Sequence, residues 1–453
     1  MNKIVISMFI IALAVWAASP EQLIKEAIAL RDSGNLDQAL LKFEEIIKSK
    51  PKHALANFEL GQTYFQKADY DTAIKFLQNA LNYGYNALNT HLALARTYRA
   101  KGSRMDAVME YRVALELSPN NPGIHTYLGD TYLEGNNNTL AEKEYGEALT
   151  IDPQYLPAMA GLANLYQNMR QYDEALALYE KVKAQDPNYA PVYLALGDYY
   201  YDQKQYDKSI GELTKYTQLE PKNPQGYVKL AEVYERMKNY DQAINEMYQA
   251  LGYKDTTLSS LKFLRYLFSQ VNKLPEEKEI LKQIVAKVPS DNVSWLDLAK
   301  VYTKIDSFQG AIYAYNQALA IDSTILSNIV FDLGLAYYQV AKYDSSEGIF
   351  SKKIQLDSLA AGAYLNRALA RIQLKKYQEA VSDLEKGVKL RPDHMQGHLW
   401  LAQVYAFLGM KQKAKEEFKK VLKLDPKNKE AKKGLDELNK PPPKDYYDYY
   451  PDE

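Results

Sequence analysis

The chain has no cysteine. This absence removes disulfides, thiolate zinc sites, a cysteine nucleophile and a lipidated N-terminal cysteine. Charge of one sign is also missing: 56 basic residues stand against 57 acidic ones, for a formal net charge of -1. A chain so balanced lacks the basic surface that general nucleic-acid binding requires. Histidine is scarce, and of the five present only His394 and His398 have helical i, i+4 spacing. An isolated pair with no third ligand reads as a solvated junction and not as a metal site. No phosphate-binding Gly-x-x-x-x-Gly-Lys, no Gly-x-Gly-x-x-Gly and no His-Glu-x-x-His occurs. Carboxylates such as Asp71, Asp173 and Asp241 read as helix-start charges. The sequence is therefore read as a non-enzyme, with no catalytic residue, no metal and no cofactor.

Long apolar runs are missing with one exception. Behind the basic start Met1 to Lys3, Ile4 to Trp16 is an almost unbroken apolar stretch of 13 residues, and Val15-Trp16-Ala17 offers a cleavage site. A spanning helix needs about 20 apolar residues, so residues 1–17 read as a secretory signal peptide, with an uncleaved anchor as the alternative. Such a leader on a cysteine-free chain predicts a periplasmic, cell-surface or secreted bacterial protein without a transmembrane span after cleavage.

What the chain has in excess is tyrosine, 39 residues, and a period. A length of 453 residues would ordinarily suggest roughly three domains, but self-similarity gives a different organisation. One small residue recurs as Ala27, Gly61, Ala95, Gly129, Ala163, Gly197, Ala231, Ala299, Gly334, Ala368 and Ala402, with Arg265 filling the remaining place. Twelve residues after each stands a second: Ala39, Ala73, Ala107, Ala141, Ala175, Ser209, Ala243, Ala311, Ser346, Ala380 and Ala414, with Glu277 as the exception. The spacing is 34 throughout, apart from one inserted residue near Ser323 to Ser327. Between the two small residues the apolar pattern follows two short amphipathic helices, and proline closes the second helix at Pro51, Pro119 and Pro153 among others. Each repeat is a helix, a turn and a helix, with small residues where the two helices cross.

Leu60-Gly61-Gln62-Thr63-Tyr64, Leu128-Gly129-Asp130-Thr131-Tyr132 and Leu196-Gly197-Asp198-Tyr199-Tyr200, with the alanines and prolines above, resemble the tetratricopeptide repeat family. The resemblance implies an all-α fold, a right-handed superhelical solenoid of tandem helix-turn-helix repeats whose first helices line the concave side. The expected organisation is repeats 1–7 over 20–257, a degenerate repeat 8 over 258–291, repeats 9–12 over 292–428, a capping helix over 429–440 and a disordered Tyr/Asp tail over 441–453. Repeat 8 is expected to be a looser joint, with Arg265 and Glu277 forming an ion pair in place of close backbone contact. Nineteen tyrosines fall on framework positions and four in the tail. The framework tyrosines read as core, with hydroxyls reaching a polar edge.

Numbering each repeat so that the first small residue is position 8, the resemblance places groove-facing side chains near positions 2, 5, 9, 12 and 13. Repeats 4 to 7 then present Asp130, Glu134, Asn164, Gln167, Asn168, Asp198, Tyr201, Asp202, Glu232 and Glu235, a polar and acidic row suited to an extended basic or hydrogen-bonding segment. The end formed by repeats 10 to 12 presents Phe331, Leu335, Tyr338, Leu365, Leu369 and Ile372, an apolar row suited to an amphipathic helix of a partner protein. The clamp by which some family members hold a chaperone's C-terminal carboxylate needs a set of Lys, Asn and Arg residues that no three consecutive repeats supply. Met410 to Lys444 carries 12 lysines against 6 acids and is a weaker candidate for an acidic partner. The sequence thus reads as a protein- or peptide-binding scaffold. The alternatives are a self-associating envelope component that contacts glycan or lipid and, more distantly, an enzyme with an unrecognised site. The sequence leaves the oligomeric state open.

Overall fold

The computed structural model describes residues 19–253 and 255–440. The signal peptide read at 1–17 and the tail read at 441–453 lie outside the described residues. Among the described residues there are twelve helix pairs and a final single helix, with no strand. The first pair is Pro20–Asp32 and Leu36–Ser49, the last is Met395–Phe407 and Lys411–Leu424, and the single helix is Lys429–Asn439. Chain contacts divide the molecule into two compact units, one ending at Val233 and one beginning at Tyr234. The division falls inside the first helix of repeat 7, Pro224–Arg236.

Local chemistry sets the helix ends. The Asp69 carboxylate accepts from the Thr72 amide at 3.2 Å, and Asn137 and Asn428 cap their helices in the same way. Proline occupies the first turn at Pro20 and Pro122, where its missing N–H would have no partner in any case. The turn within a pair uses a left-handed residue at position 15 of every repeat. Glycine holds it at Gly34, Gly102 and Gly409, and nine other residues hold it elsewhere, including Ala68 at φ 61° and Ala341 at φ 58°. That conformation lets the next amide reach back to position 11, as Asp69 does to the Tyr64 carbonyl at 3.0 Å. A β-carbon is unfavourable there by about 1 kcal/mol, so Ala68→Gly and Ala341→Gly should each raise stability by about 0.5 kcal/mol once the looser unfolded chain is discounted. Thermal or urea unfolding checks this; a lowered midpoint for either variant would contradict it.

The pairs pack through the small residues. Ala27, Ala39, Ala73 and Ala141 are fully buried, and a methyl group on Gly61, Gly129, Gly197 or Gly334 would stand 2.8, 2.7, 2.5 or 2.6 Å from Leu77, Tyr145, Leu213 or Phe350. Those four large residues all occupy position 24, so the missing side chain at position 8 makes room for the bulkiest one in the facing helix. The inserted residue falls at the junction of repeats 9 and 10, beside a 3-10 turn, Ser323–Ile325.

Repeat 8, Leu258–Gln270 and Leu274–Lys287, brings two long side chains to its crossing. Arg265 Nη1 lies 3.9 Å from Glu277 Oε1, but its closer partner is Asp297 of the next repeat, at 3.0 Å from Nη2. Burial pushes the Glu277 carboxyl above its ordinary range, against the opposing effect of Arg265. After repeat 12, Lys429–Asn439 buries Ala431 and packs Leu435 and Leu438 on the last core cluster. It covers an apolar edge that would otherwise face water.

Candidate functional site

In the N-terminal unit the polar row is held by tyrosines that enter from behind. Tyr145, fully buried in Asn138–Ile151, passes between Gly129 and Gly161, and its hydroxyl donates to Asp130 Oδ1 at 2.8 Å. Tyr179, one repeat on, places its hydroxyl 2.5 Å from Asn164 Oδ1 and 2.9 Å from Gln167 Oε1. Gln167 in turn donates to Asp202 at 2.9 Å, across to the next repeat.

Two cations that the sequence reading left out of this row sit at its ends. Arg99 reaches Glu134 at 2.7 Å and Asp130 at 3.5 Å, and Lys229 reaches Asp198 at 3.2 Å and Glu232 at 3.3 Å. Burial raises the carboxyls of Asp130 and Asp198 above the ordinary value of 3.8, while Arg99 and Lys229 pull them back. A raised folded-state value means that protonation favours the folded form. These two groups therefore weigh against stability at neutral pH, and that penalty is relieved as pH falls to the ordinary carboxylate range. Asn168 and Asp202 are exposed, and Tyr201 packs its ring 6.1 Å from that of Tyr206. Glu235 belongs to the other unit, where it accepts from the Tyr266 hydroxyl at 3.0 Å. The row is thus a set of linked hydrogen bonds and ion pairs more than a bare acidic surface.

The C-terminal unit differs. Leu335 is 41% exposed on Leu326–Gln339, with Phe331 and Tyr338 half-buried beside it, and Leu369 and Ile372 are half-buried on Ala361–Gln373. Leu365, read from the sequence as open, is only 2% exposed. It turns under the following helices because Gly387 and Gly397 carry no side chain to stop it: a methyl group on either would lie 2.6 or 3.0 Å from its side chain.

The sequence reading also missed three aromatic side chains that complete this face. Phe407 is 68% exposed and leans on Tyr377 at 4.5 Å between ring centroids, and Trp400 stands beside them. Phe407 occupies position 13 of repeat 12, a groove position, so its signal was present. Tyr338, Leu369, Ile372, Trp400 and Phe407 line a cleft of about 430 Å³, with Gln373 and Gln403 supplying polar edges.

The histidines have structural partners. His91, His125 and His398, each at position 4, lie 2.6, 2.8 and 2.5 Å from Glu110, Glu144 and Glu417 at position 23 of the same repeat. His398 Nε2 is also 3.0 Å from the Pro392 carbonyl at the end of the preceding repeat, a contact that Trp295 and Tyr193, also at position 4, make to Pro289 and Pro187. His394 caps its helix, accepting from the Gly397 amide at 2.9 Å. Among the described residues no group of three or more His, Asp or Glu is placed to hold a metal ion, and no helix is long and apolar enough to cross a membrane.

Residues 24–87, 92–155 and 331–394 match one family model described as "Tetratricopeptide repeat", and residues 136–198 and 371–438 match another with the same description. Between them they cover more than half of the chain. Residues 168–250 also match a model described as "Anaphase-promoting complex, cyclosome, subunit 3". Heat shock protein STI1 of Saccharomyces cerevisiae is 32% identical over 108 residues, 24% of this chain and 18% of that protein. The Hsp70-Hsp90 organizing protein of Triticum aestivum is 33% identical over 107 residues, again 24% and 18%. DnaJ homolog subfamily C member 7 of Homo sapiens is 30% identical over 106 residues, 23% and 22%. The chain thus spans about a fifth of the length of these relatives. Among solved structures, a tetratricopeptide repeat protein from Parabacteroides merdae aligns with 55% of this chain and 98% of its own, at a TM-score of 0.46 and 17% identity. The C-terminal part of a repeat protein from Cytophaga hutchinsonii aligns with 53% and 98%, at 0.41 and 19%.

Proposed function

Because the chain belongs to the tetratricopeptide repeat family, we propose that it is a non-enzymatic scaffold that holds an apolar segment of another protein against the first helices of repeats 10 to 12. One observation carries the reading: Leu335 and Phe407 remain 41% and 68% exposed at the two ends of an apolar row around a cleft of about 430 Å³. Large apolar side chains left contiguous on a surface mark interaction sites, and aromatic anchors in such clefts carry most of the binding energy. An amphipathic helix, with its apolar side chains spaced i, i+3 or i+4 and i+7, fits this row. The polar row of repeats 4 to 6 is a lesser contact surface, because much of its hydrogen-bonding capacity is already used internally. The missing Lys, Asn and Arg set argues against a chaperone tail as the ligand, despite the names of the curated relatives. The Ile4 to Trp16 run supports an extracytoplasmic, envelope setting.

A photo-cross-linking residue placed at 335 or 407 in cells tests the proposal. It should yield a defined protein adduct, whereas the same residue at 313 or 356, exposed on second helices, should not. Adducts of equal yield and identity at all four positions would contradict it.

A further inference from the structure

The polar face that the second helices turn away from the core is broken in one repeat. At position 26 eleven repeats carry Lys, Glu, Gln or Asn, and at position 18 the same eleven carry Asp, Gln, Thr or Pro. Repeat 3 has Val113 and Met105 there, with Met109 between them at position 22 and Leu117 one turn further on. These four are 37%, 82%, 57% and 51% exposed. Spaced i, i+4, i+8 and i+12 on Arg104–Leu117, they form an apolar ridge about 18 Å long.

Met105 also removes a link between repeats. In repeats 1 and 2 the acid at position 18 binds the lysine at position 14 of the next repeat, Asp37 to Lys67 at 2.6 Å and Asp71 to Lys101. Met105 and Gly135 stand at those two places in repeats 3 and 4, and both line a cleft of about 420 Å³. Met109, Tyr132 and Leu140 line it with them, and its charged groups are Arg104 and Arg112. Asp106 and Glu116 of the same helix lie outside the lining. Arg104 passes over Gly135, whose would-be β-carbon stands 3.7 Å from Arg104 Cδ, and Arg112 donates to the Tyr132 hydroxyl at 3.0 Å. A guanidinium carries five donors, so these two exposed arginines keep capacity for a carboxylate.

We propose that this cleft and ridge form a second docking site, which takes an acidic amphipathic helix of a partner protein. Its apolar side chains lie on Met105, Met109, Val113 and Leu117, and its carboxylates meet Arg104 and Arg112. The site is independent of the cleft of repeats 10 to 12, and a chain with both links two proteins. Charge selects the occupant: a basic helix would be repelled by the two arginines, and an uncharged one would leave them unpaired. Methionine, with its flexible and polarizable thioether, suits a surface that adapts to the side chains it receives. A second copy of this chain fits less well, because two such ridges packed antiparallel, Met105 against Leu117 and Met109 against Val113, would bring the Arg112 side chains of both copies together.

The probe is a fluorescently labelled, stapled helix of about four turns, with leucines along one face and glutamates on its flanks. It is titrated at low salt against the chain carrying Leu335→Ser and Phe407→Ser, in which the other cleft has lost its exposed anchors. It should bind at least tenfold more tightly than the same helix with lysines in place of glutamates. Met105→Ser with Met109→Ser should weaken that binding at least tenfold, while helicity and unfolding midpoint stay unchanged because both residues are exposed. Arg104→Glu with Arg112→Glu should reverse the preference, making the lysine helix the tighter ligand. Absence of binding by the glutamate helix, binding indifferent to the two methionines, or a preference that does not reverse would each overturn the proposal. So would a dimer in sedimentation, or adsorption to phosphatidylglycerol vesicles, that the methionine variant abolishes, since the ridge would then serve a second copy or a lipid surface. None of these results bears on the cleft of repeats 10 to 12, which cross-linking at 335 and 407 tests separately.

Discussion

Gly161→Ala should destabilise the N-terminal unit by about 1–3 kcal/mol, although alanine is the better helix former by about 1 kcal/mol. The reason is the slot in which Tyr145 sits. A β-carbon on Gly161 would lie 2.4 Å from Tyr145 Cε1, and one on Gly129, on the other side of the ring, 2.7 Å from the same atom. The ring is fully buried and its hydroxyl is fixed on Asp130, so it cannot yield in either direction without breaking that bond or shifting a helix. Gly146, in the same helix as Tyr145, has nothing within 4 Å of its would-be β-carbon, so Gly146→Ala should stabilise by up to about 1 kcal/mol. Opposite signs for two Gly→Ala changes in neighbouring helices are hard to obtain from propensity alone. Tyr145→Leu, which places at position 24 the residue that repeats 2 and 6 use there as Leu77 and Leu213, should recover part of the Gly161→Ala loss. Urea unfolding reads all three; a Gly161→Ala protein as stable as the parent would show that the slot is not tight.

Asp383→Ala should cost about 3–5 kcal/mol, the range found when one partner of a buried ion pair is removed. Asp383 is 3% exposed and accepts from Arg367 Nε and Nη2 at 2.8 and 2.6 Å and from Arg371 Nη1 at 2.9 Å. Without it Arg367 keeps Ser351, at 3.1 Å, and the face of the Tyr364 ring, and Arg371 keeps Glu347, at 2.8 Å, and the more exposed Glu379, at 3.2 Å. Two largely buried guanidinium groups would then face each other with one carboxylate fewer between them. Asp383→Asn, which keeps the shape and one acceptor oxygen, should lose less than the alanine variant. The loss should change little between low and high salt, because buried pairs are poorly screened. An Asp383→Ala midpoint equal to that of the parent would contradict the assignment. Arg367 and Arg371 share a helix with Leu369 and Ile372, so the network also holds one wall of the apolar cleft in place.

The repeat architecture was legible because its determinants are local and periodic. Small residues at positions 8 and 20 mark every crossing but the one at repeat 8, and no knowledge of the neighbouring repeat is needed to see them. The sites were less legible because they depend on what lies across a repeat boundary. Leu365 shares its register with half-buried Phe331, yet two glycines 22 and 32 residues later decide that it turns inward. Asp130 and Asp198 look like free acids until Arg99 and Lys229, about one repeat before and after them, are seen to reach them. Tyr145 and Tyr179 were assigned correctly to the core with hydroxyls at a polar edge, but which acceptor each would find followed only from the packing. At repeat 8 the paired substitution of Arg265 and Glu277 was visible, whereas Asp297, the nearer partner of Arg265, lies in the following repeat.

The central claim is that the exposed apolar row of repeats 10 to 12 binds a segment of another protein. The most direct measurement is the affinity of the segment captured at 407 for the parent chain and for the Leu335→Ser, Phe407→Ser double variant, whose two sites are exposed enough to leave the fold intact. Loss of two apolar anchors, each contributing about 1–2 kcal/mol, predicts binding weakened at least tenfold with unchanged helicity and unfolding midpoint. Equal affinity of the two proteins for that segment would contradict the account.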